Sequence, residues 1–219
     1  MSTLRGPGRF VTLEGIEGVG KTTQLERLAG LLMRHDIAHA VTREPGGTPL
    51  AEQIRSLVLS SREEVVPDAA ELLLVFAARS VHLQNLIEPN LAAGRWVLCD
   101  RFTDSTYAYQ GGGRGLDEQA IRMLEQLVQE TRRPDLTFLI DVPVELGLAR
   151  AARRRAGATG ESADRFDAQR ADFFERVRAA YLARAAAEPE RIALIDGRAS
   201  AEEVSAEIAE VLRAKAWIS

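Results

Sequence analysis

The part of this sequence that most limits the possible folds is the octapeptide Gly-Ile-Glu-Gly-Val-Gly-Lys-Thr at residues 15–22. It fits the pattern Gly-x-x-x-x-Gly-Lys-Ser/Thr, follows the apolar run 10–14 and opens the helical pattern 21–34. The glycines let successive backbone N–H groups point at phosphate oxygens, and the start of the helix adds the positive end of its dipole. We therefore predict a strand, a phosphate-binding loop (P-loop, residues 15–22) and a helix that together bind a nucleoside triphosphate.

Two side chains of the P-loop have predicted chemical roles. Lys21 supplies a compact positive charge for the β- and γ-phosphates, and the Thr22 hydroxyl can ligate Mg²⁺. Lys21 also stands out because Lys215 is the only other lysine and arginine carries the remaining positive charge. The predicted ATP-binding residues are Gly15, Ile16, Glu17, Gly18, Val19, Gly20, Lys21, Thr22 and Thr23.

Short apolar runs alternate with helical patterns along the rest of the chain. The runs lack the alternation of half-exposed strands, which is typical of parallel strands covered on both faces. They predict strands at 10–14, 38–42, 96–99, 136–141 and 192–195. The helical patterns predict helices at 21–34, 49–59, 68–93, 117–131, 144–155, 166–187 and 201–214. We expect an α/β fold, with a five-stranded parallel sheet flanked by helices on both faces.

We expect residues 1–219 to form one domain, because no repeat, low-complexity tract or second boundary is visible. One segment, at about 153–165, departs from the pattern. Three arginines are followed there by small residues and glycines without an apolar period. This composition predicts a mobile flap between two helices.

Charge and cysteine content argue against several classes of protein. The net charge of −4 gives no general attraction to nucleic acid or to an anionic membrane. Because Cys99 is the single cysteine, the chain cannot form an internal disulfide. The apolar neighbours of Cys99 predict a buried structural thiol. No apolar run is long enough to span a bilayer and no signal peptide is visible, so we expect a cytoplasmic protein.

A second anion site is predicted beside the P-loop. Basic and small residues follow the second predicted strand at 42–48, Arg79 lies in the long third helix, and Asp100 and Arg101 follow the third strand. The carboxyl ends of parallel strands meet at one edge of a sheet, where ligands bind. An ATP site with a second phosphate site beside it is the geometry of a nucleotide kinase. The strings Asn-Lys-x-Asp and Asp-x-x-Gly of a switch GTPase are absent from the sequence.

Four strings carry a resemblance to a known family: LEGIEGVGKTT, TREPGGTPLAE, DRFTDSTYAYQGGGRG and RPDLTFLIDVP. In order and spacing the sequence resembles the bacterial branch of the thymidylate kinases over nearly the whole chain, and the DRFTDSTYAYQGGGRG string is the most specific part. The resemblance implies a P-loop nucleoside monophosphate kinase fold. It also implies transfer of the γ-phosphoryl group of MgATP to dTMP, and a homodimer formed through helices that flank the sheet.

The resemblance also implies residue roles. Glu17 matches a carboxylate near the sugar 3′-hydroxyl of dTMP, and Asp100 is placed to hold Mg²⁺ directly or through water. Thr106 and Gln110 match residues that meet the thymine edge. The full set of implied dTMP-binding residues is Glu17, Arg43, Glu44, Arg55, Phe76, Arg79, Arg101, Thr106 and Gln110.

The aromatic residue that should stack on the base departs from the family pattern. The commoner spacing puts phenylalanine four residues before Arg79, where this chain has Val75, whereas Phe76 lies three residues before it. Both spacings share a helix face. We assign stacking to Phe76, with a purely structural core role as the alternative.

The flap at 153–165 resembles the lid of this family. In its bacterial branch the lid supplies positive charge that stabilises the transferring phosphoryl group. The implied catalytic residues are Lys21, Arg101, Arg153, Arg154, Arg155 and Arg165, and the sequence does not say which lid arginine acts. A phosphate oxygen needs no general base, so we interpret His35, His39 and His82 as structural residues away from the motifs.

Three alternatives stay open at this stage. The chain could phosphorylate another pyrimidine monophosphate, such as dUMP or dCMP, or it could be a P-loop regulatory ATPase that lacks the second phosphate site. A deoxynucleoside kinase fits less well, because an uncharged substrate leaves Arg79 and Arg101 without a phosphate partner. The long apolar stretch 71–91 could form the dimer contact or belong to the core.

Overall fold

A computed structural model describes residues 8–157, 166 and 169–219 of the chain. Five parallel strands form one sheet in the order β2-β3-β1-β4-β5. The strands are β1 (Phe10–Glu14), β2 (His39–Arg43), β3 (Trp96–Asp100), β4 (Leu136–Asp141) and β5 (Ile192–Asp196). This confirms the predicted parallel sheet, with strand bounds shifted by one residue at most.

The helices in the described part of the chain follow the predicted alternation. They are α1 (Lys21–Arg34), α2 (Pro49–Leu59), α3 (Asp68–His82), α4 (Glu88–Ala92), α5 (Thr103–Thr106), α6 (Glu118–Gln129), α7 (Val144–Gly157), α8 (Ala171–Ala187) and α9 (Ala201–Ala214). The π-helical segment Leu83–Ile87 joins α3 to α4, so the predicted long helix 68–93 is continuous. None of the described helices has the length and apolar character needed to cross a membrane.

Burial of the strands follows their position in the sheet. The strands β1, β3 and β4 are buried along nearly their whole length, because each has a neighbour on both sides and helices cover its faces. The edge strands β2 and β5 are only partly buried, and Val41 and Leu194 are about half exposed, at 50% and 51%. The expectation that every strand is covered on both faces is therefore wrong for the two edges.

Successive residues of the strands point to opposite faces of the sheet. In β3, Trp96 and Leu98 pack into the larger core cluster, whereas Val97 and Cys99 pack with Phe10 and the π-helical segment after α3 on the other face. Cys99 is fully buried and its thiol donates to the backbone oxygen of Arg101. This confirms the prediction of a structural thiol.

The helix bounds on both sides of the predicted flap differ from the prediction. Helix α7 continues to Gly157, so the first third of the predicted flap is helical, and 158–165 lie outside the described residues. Helix α8 begins at Ala171 rather than at residue 166. Phe166 lies in a turn, and its buried ring packs against Tyr109 and Phe173.

One helical stretch was not predicted. Residues Thr103–Thr106 form α5, and the π-helical segment Tyr107–Gly113 continues it through three glycines. The glycines allow a close approach to α8, since a Cβ on Gly112 would lie only 2.6 Å from the Cβ of Ala180. This helix follows directly after β3 and presents its side chains at the carboxyl edge of the sheet.

Candidate active site

A cavity of about 700 Å³ opens at the carboxyl edge of the sheet, beside the P-loop. It brings together most of the residues that the sequence predicted for two separate phosphate sites. The predicted residues that line it are Glu17, Gly18, Gly20, Lys21, Thr22, Thr23, Arg43, Glu44, Arg55, Arg79, Asp100, Arg101, Thr106, Gln110 and Arg154. The predicted residues Gly15, Ile16, Val19, Phe76, Arg153 and Arg155 do not line it.

The P-loop connects β1 to α1 in a conformation that depends on glycine. Gly18 has a φ of 75°, and a Cβ there would lie 2.0 Å from the backbone oxygen of Gly147 in α7. Because the residue before helix α1 is Gly20, no side chain at that position caps the N-terminus of the helix. The first turn of α1 also holds no acidic residue. Ile16 and Val19 point into the core, so their contribution to a ligand site is through their backbone N–H groups.

Lys21 is folded back on the loop that precedes it. Its Nζ donates to the backbone oxygens of Gly15 at 3.0 Å and of Ile16 at 2.9 Å. Burial of the ammonium group, together with the nearby charge of Arg101, lowers the pKa of Lys21 to about 8. Thr22 and Thr23 are exposed at the cavity, at the start of α1.

Arg101 links the P-loop to the rest of the cavity. Its backbone adopts a left-handed conformation with a φ of 71°, and its N–H donates to the Leu13 oxygen at 3.0 Å. The guanidinium donates to Gly15 O at 2.9 Å and to Glu17 Oε1 at 3.1 Å. Further donors from the same group reach the hydroxyls of Ser105, Tyr109 and Tyr181. Arg101 is therefore held in place by protein groups on several sides.

Asp100, the last residue of β3, borders the same cavity. Its Oδ1 is buried and has no hydrogen-bond partner among the described residues. In that part of the chain there is also no group of three or more His, Cys, Asp or Glu side chains that could hold a metal ion by itself. A cation at this edge of the sheet would need most of its ligands from a bound nucleotide and water.

Arg79 also lines the cavity and is buried, with only 1% exposure. Its Nε donates to Glu44 at 2.7 Å and its Nη2 donates to Thr106 Oγ1 at 2.9 Å. The guanidinium also lies over the rings of Phe76 and Phe102, at 4.8 and 5.0 Å from their centroids. The remaining nitrogen, Nη1, has no partner in the described structure. A buried and partly unpaired donor at a cavity is free to hydrogen-bond to a ligand.

His82 supports Arg79 through Glu44. Its Nδ1 lies 2.9 Å from Glu44 Oε1 and its Nε2 lies 2.7 Å from the Thr42 hydroxyl, with all three side chains buried. His82 is structural as predicted, but the expectation that it lies away from the motifs is wrong. It joins α3 to the segment 42–48, because one histidine ring can bridge a carboxylate and a hydroxyl.

Two further arginines form the outer wall of the cavity. Arg43 pairs with Glu52 at 3.0 Å on the exposed side, and Arg55 donates to the backbone oxygen of Pro45 at 2.8 Å. Both side chains line the cavity as predicted. Burial and the like charge of Arg43 lower the pKa of Arg55.

The position of Phe76 does not match its predicted stacking role. Its ring is buried in a core cluster with Leu72, Tyr107 and Ile121, and Val75 is the residue of this pair that lines the cavity. Val75 and Phe76 lie four and three residues before Arg79 and share one side of the helix, but of the two only Val75 lines the cavity. The alternative, a core role for Phe76, agrees with this position.

The predicted base-reading residues lie on the unpredicted helical stretch. Thr106 is engaged with Arg79, and the amide nitrogen Nε2 of Gln110 donates to Glu71 Oε1 at 2.7 Å. Both residues are buried and line the cavity.

The lid arginines separate into different groups. Arg154, near the end of α7, lines the cavity, whereas Arg153 is exposed and Arg155 is half-buried, and neither lines it. Arg165 lies outside the described residues. Arg150, one turn before Arg154, also lines the cavity and donates to the Gly197 oxygen at 2.7 Å.

Several site residues were missed by the sequence analysis. Tyr109 donates to Glu17 at 2.7 Å, and Tyr181 from α8 donates to the buried Glu14 at 2.7 Å. Burial, together with the charge of Asp104, raises the pKa of Glu14 to about 7. Tyr109 lies inside the quoted string 100–115, so a signal for it existed. Tyr181 is separated from Glu14 by most of the chain and left no local signal. Tyr181 and Glu14 do not line the cavity themselves. The unpredicted residues that do line it, besides Tyr109 and Arg150, are Glu26, Pro45, Val58, Leu59, Phe102, Ser105 and Phe166.

A P-loop and a buried arginine at one cavity, with a parallel sheet beneath both, define a P-loop nucleoside monophosphate kinase. The family model described as thymidylate kinase matches residues 13–208. The chain belongs to the thymidylate kinase family.

Similar proteins agree over almost the whole length. The thymidylate kinase of Chromohalobacter salexigens is 54% identical over 214 residues, which cover 96% of this chain and 99% of the relative. The thymidylate kinase of Alcanivorax borkumensis is 51% identical over 211 residues, with the same coverage of 96% and 99%. The crystal structure of thymidylate kinase from Ehrlichia chaffeensis superposes with a TM-score of 0.75 at 33% identity, covering 94% of this chain and 100% of that chain.

Proposed function

We propose that this protein transfers the γ-phosphoryl group of MgATP to the 5′-phosphate of dTMP, forming dTDP for nucleotide synthesis in the cytoplasm. The observation that carries the proposal is Arg79. This buried guanidinium, with one nitrogen unpaired in the described structure, opens on the same cavity as the P-loop. A cavity with two anion-binding ends holds a donor triphosphate and an acceptor phosphate in line.

The donor end of the cavity consists of the P-loop and Lys21. The loop N–H groups and the start of α1 bind the phosphates of ATP, and Lys21 exchanges its two carbonyl partners for phosphate oxygens. Arg101 lies between both ends and neutralises charge on the transferring group. In this proposal no protein side chain abstracts a proton, because the acceptor phosphate is itself a nucleophile.

The donor set fits a magnesium ion that is shared with the nucleotide. Thr22 and Asp100 would hold it, because both line the cavity and Asp100 has a buried, unpartnered carboxylate oxygen in the described structure. Once bound with ATP, Mg²⁺ supplies charge neutralisation of the phosphates.

The acceptor end is assigned to the arginines and to the helical stretch after β3. Arg79, Arg43 and Arg55 bind the dTMP phosphate and its surroundings, Glu44 fixes Arg79, and Glu17 meets the sugar 3′-hydroxyl. Thr106 and Gln110 meet the pyrimidine edge. Val75 replaces Phe76 as the side chain offered to the base face.

The lid is assigned to α7 and the residues that follow it. Arg154 is the lid arginine best placed to reach the transferring phosphoryl group, since it already lines the cavity. Arg165 stays in the proposal on the basis of the family pattern alone.

A coupled ADP-release assay with MgATP and a panel of nucleoside monophosphates tests this function. We expect turnover with dTMP well above dUMP, dCMP, AMP and GMP. Arg101→Ala should lower kcat/KM for dTMP by roughly 100-fold or more, because it removes charge stabilisation of the transferring group. The matched control is Arg213→Ala, which removes an exposed arginine paired with Glu210 on α9. This variant should behave like the unsubstituted protein.

Two outcomes would contradict the proposal. ATP turnover that ignores every monophosphate, or that survives Arg101→Ala, would indicate a P-loop regulatory ATPase. Preferred turnover of dUMP or dCMP would keep the kinase chemistry and reject the thymine assignment.

We also propose that the enzyme is a homodimer. Exposed apolar side chains on α2, α3 and α6 support this, namely Leu50, Leu57, Leu73, Met123 and Leu127. Helix α3 packs against both α2 and α6, so the three helices form one continuous surface.

A further inference from the structure

Gln110 has a buried partner that lies behind the cavity wall. Glu71 on α3 is fully buried, at 0% exposure, and does not line the cavity. Its Oε1 accepts from Gln110 Nε2 at 2.7 Å, and its Oε2 accepts from Arg114 Nη2 at 3.1 Å. Arg114 is itself held over the rings of Phe166 and Phe173, at 5.4 and 5.1 Å from their centroids. The carboxylate is thus fixed between an amide and a guanidinium.

This arrangement determines which way the amide of Gln110 is turned. An ionised carboxylate has only acceptor oxygens, and the salt bridge with Arg114 favours the ionised form. The amide must therefore direct its NH₂ group at Glu71. Turning the amide over would set its carbonyl oxygen against Glu71 Oε1, which would lose its short hydrogen bond at 2.7 Å and keep the long one from Arg114 Nε at 3.4 Å.

The carbonyl oxygen of Gln110 is then the amide atom left for a ligand. Gln110 lines the cavity, and in the described part of the chain no hydrogen bond engages its Oε1. Glu71 lies behind it, away from the opening. An acceptor fixed in this way pairs with a donor on the ligand.

Pyrimidine bases differ at the atom that such an acceptor reads. Thymine and uracil carry an N3–H donor, whereas cytosine has a lone pair at N3 and would meet the oxygen with repulsion. We propose that Glu71 is a positioning residue that locks the Gln110 amide and thereby makes the site select bases with an N3–H over cytosine. The inference rests on the proposed function, because it requires the pyrimidine edge to meet Gln110.

A competition assay measures this selectivity directly. The enzyme is given MgATP with dTMP and an excess of dCMP, and the dTDP and dCDP formed are separated by chromatography. We expect Glu71→Gln to lower the ratio of kcat/KM for dTMP over dCMP by roughly 10-fold, because a neutral amide at position 71 accepts either orientation of Gln110. The ratio comes from one mixture, so a smaller folded fraction does not change it.

Matched measurements separate selectivity from general damage. Glu125→Gln removes another buried carboxylate, which accepts from Tyr107 at 2.6 Å away from the cavity, and should leave the ratio unchanged. The dTMP over dUMP ratio should stay within about twofold in Glu71→Gln, because both bases carry the N3–H. Glu71→Asp keeps the charge but shortens the side chain, and we expect a smaller fall of the dTMP over dCMP ratio.

The outcome that overturns the inference is a dTMP over dCMP ratio equal to that of the unsubstituted protein in both Glu71→Gln and Glu71→Asp. An equal loss of selectivity in Glu125→Gln would overturn it as well, since any buried carboxylate would then have the same effect. Failure of the proposed function looks different, because the unsubstituted protein would then not prefer dTMP.

Discussion

Lys21 shows how the site manages charge at the scale of a single residue. Its ammonium group is buried against two neutral carbonyls of its own loop. Neutral acceptors compensate poorly for lost hydration, so the pKa of Lys21 falls to about 8. The phosphates of ATP are stronger partners for a cation, and they should raise the pKa again.

We therefore predict that ATP binding takes up a proton in mildly alkaline solution. At about pH 8.5, Lys21 is mostly neutral before binding and charged afterwards, so roughly three-quarters of a proton should be taken up for each ATP bound. Near pH 6.5 it is charged in both states, and this uptake should vanish. Calorimetry in buffers of different ionisation enthalpy, with MgATP and no acceptor, measures the proton count.

The second lysine provides the control for this measurement. Lys215→Met removes an exposed ammonium group that contacts the Glu190 oxygen and the Trp217 ring, and it should leave the uptake intact. Lys21→Met should abolish it. An unchanged uptake in Lys21→Met would assign the proton to another group.

At this scale the sequence indicates which residues meet at the cavity when a motif carries them. Lys21, Arg79, Arg101 and Gln110 all line the cavity as expected. Phe76 could not be assigned correctly, because two adjacent positions on one helix side differ in what they face only after α3 is packed. The contact of Glu71 with Gln110 was not predictable, since it joins two elements 39 positions apart.

At the scale of elements, the contact between the π-helical segment and α8 positions the base-reading side chains. The glycines at 111–113 allow this approach, and Arg176 of α8 donates to the Gly113 oxygen at 2.9 Å. Tyr109 and Gln110 immediately precede these glycines. Their placement at the cavity therefore depends on the distance between the two helices.

Gly112→Ala should push these helices apart. The added Cβ would lie 2.6 Å from the Ala180 Cβ and 3.0 Å from the Arg176 oxygen. We expect a loss of about 1–3 kcal/mol in the free energy of unfolding, as for other overpacked sites. A higher KM for dTMP should accompany it, because Gln110 moves with the segment. Thermal unfolding and steady-state kinetics measure the two effects.

Gly30→Ala is the matched control for this substitution. Gly30 lies inside α1, and a Cβ there would have Arg34 Nη1 as its nearest neighbour, at 3.6 Å. Alanine should stabilise this helix by about 0.5–1 kcal/mol. A Gly112→Ala protein as stable as Gly30→Ala, with unchanged KM, would contradict the close-contact explanation.

The elements themselves were predicted with uneven success, for a physical reason. Apolar runs identify β1 and β4 to the residue, since burial on both faces leaves a clear pattern. The stretch 103–113 was missed because three consecutive glycines are typical of a loop. Its helical form depends on packing against α8, which local sequence does not report.

At the scale of the whole molecule, the exposed apolar side chains are not evenly spread. Leu127 on α6 is 76% exposed, and Met123 lies one turn before it on the same side of that helix. With the leucines of α2 and α3 they form the surface proposed for the dimer. A surface of this kind is stable in water when a second copy covers it.

Leu127→Glu should therefore convert the dimer to a monomer. A carboxylate at this position would be buried against its symmetry-related surface without a partner. Sedimentation velocity at micromolar concentration measures the change. Leu194→Glu is the control, because Leu194 is 51% exposed but lies on β5 at the opposite edge of the sheet from β2. A monomeric unsubstituted protein, or a dimer that survives Leu127→Glu, would contradict the proposed interface.

The central place of β1 has a consequence for how a cell makes this protein. The ribosome releases the N-terminus first, yet the strands that flank β1 in the sheet are β3 and β4, which end at residues 100 and 141. The apolar run of β1 therefore lacks a neighbouring strand until residue 100 has been made, and exposed strands of this kind aggregate readily or engage chaperones. Gly18 also needs the backbone of Gly147 beside it to complete the packing of the P-loop. A nascent chain that stalls before residue 136 contains the P-loop sequence but lacks β4 and α7, against which the folded P-loop packs.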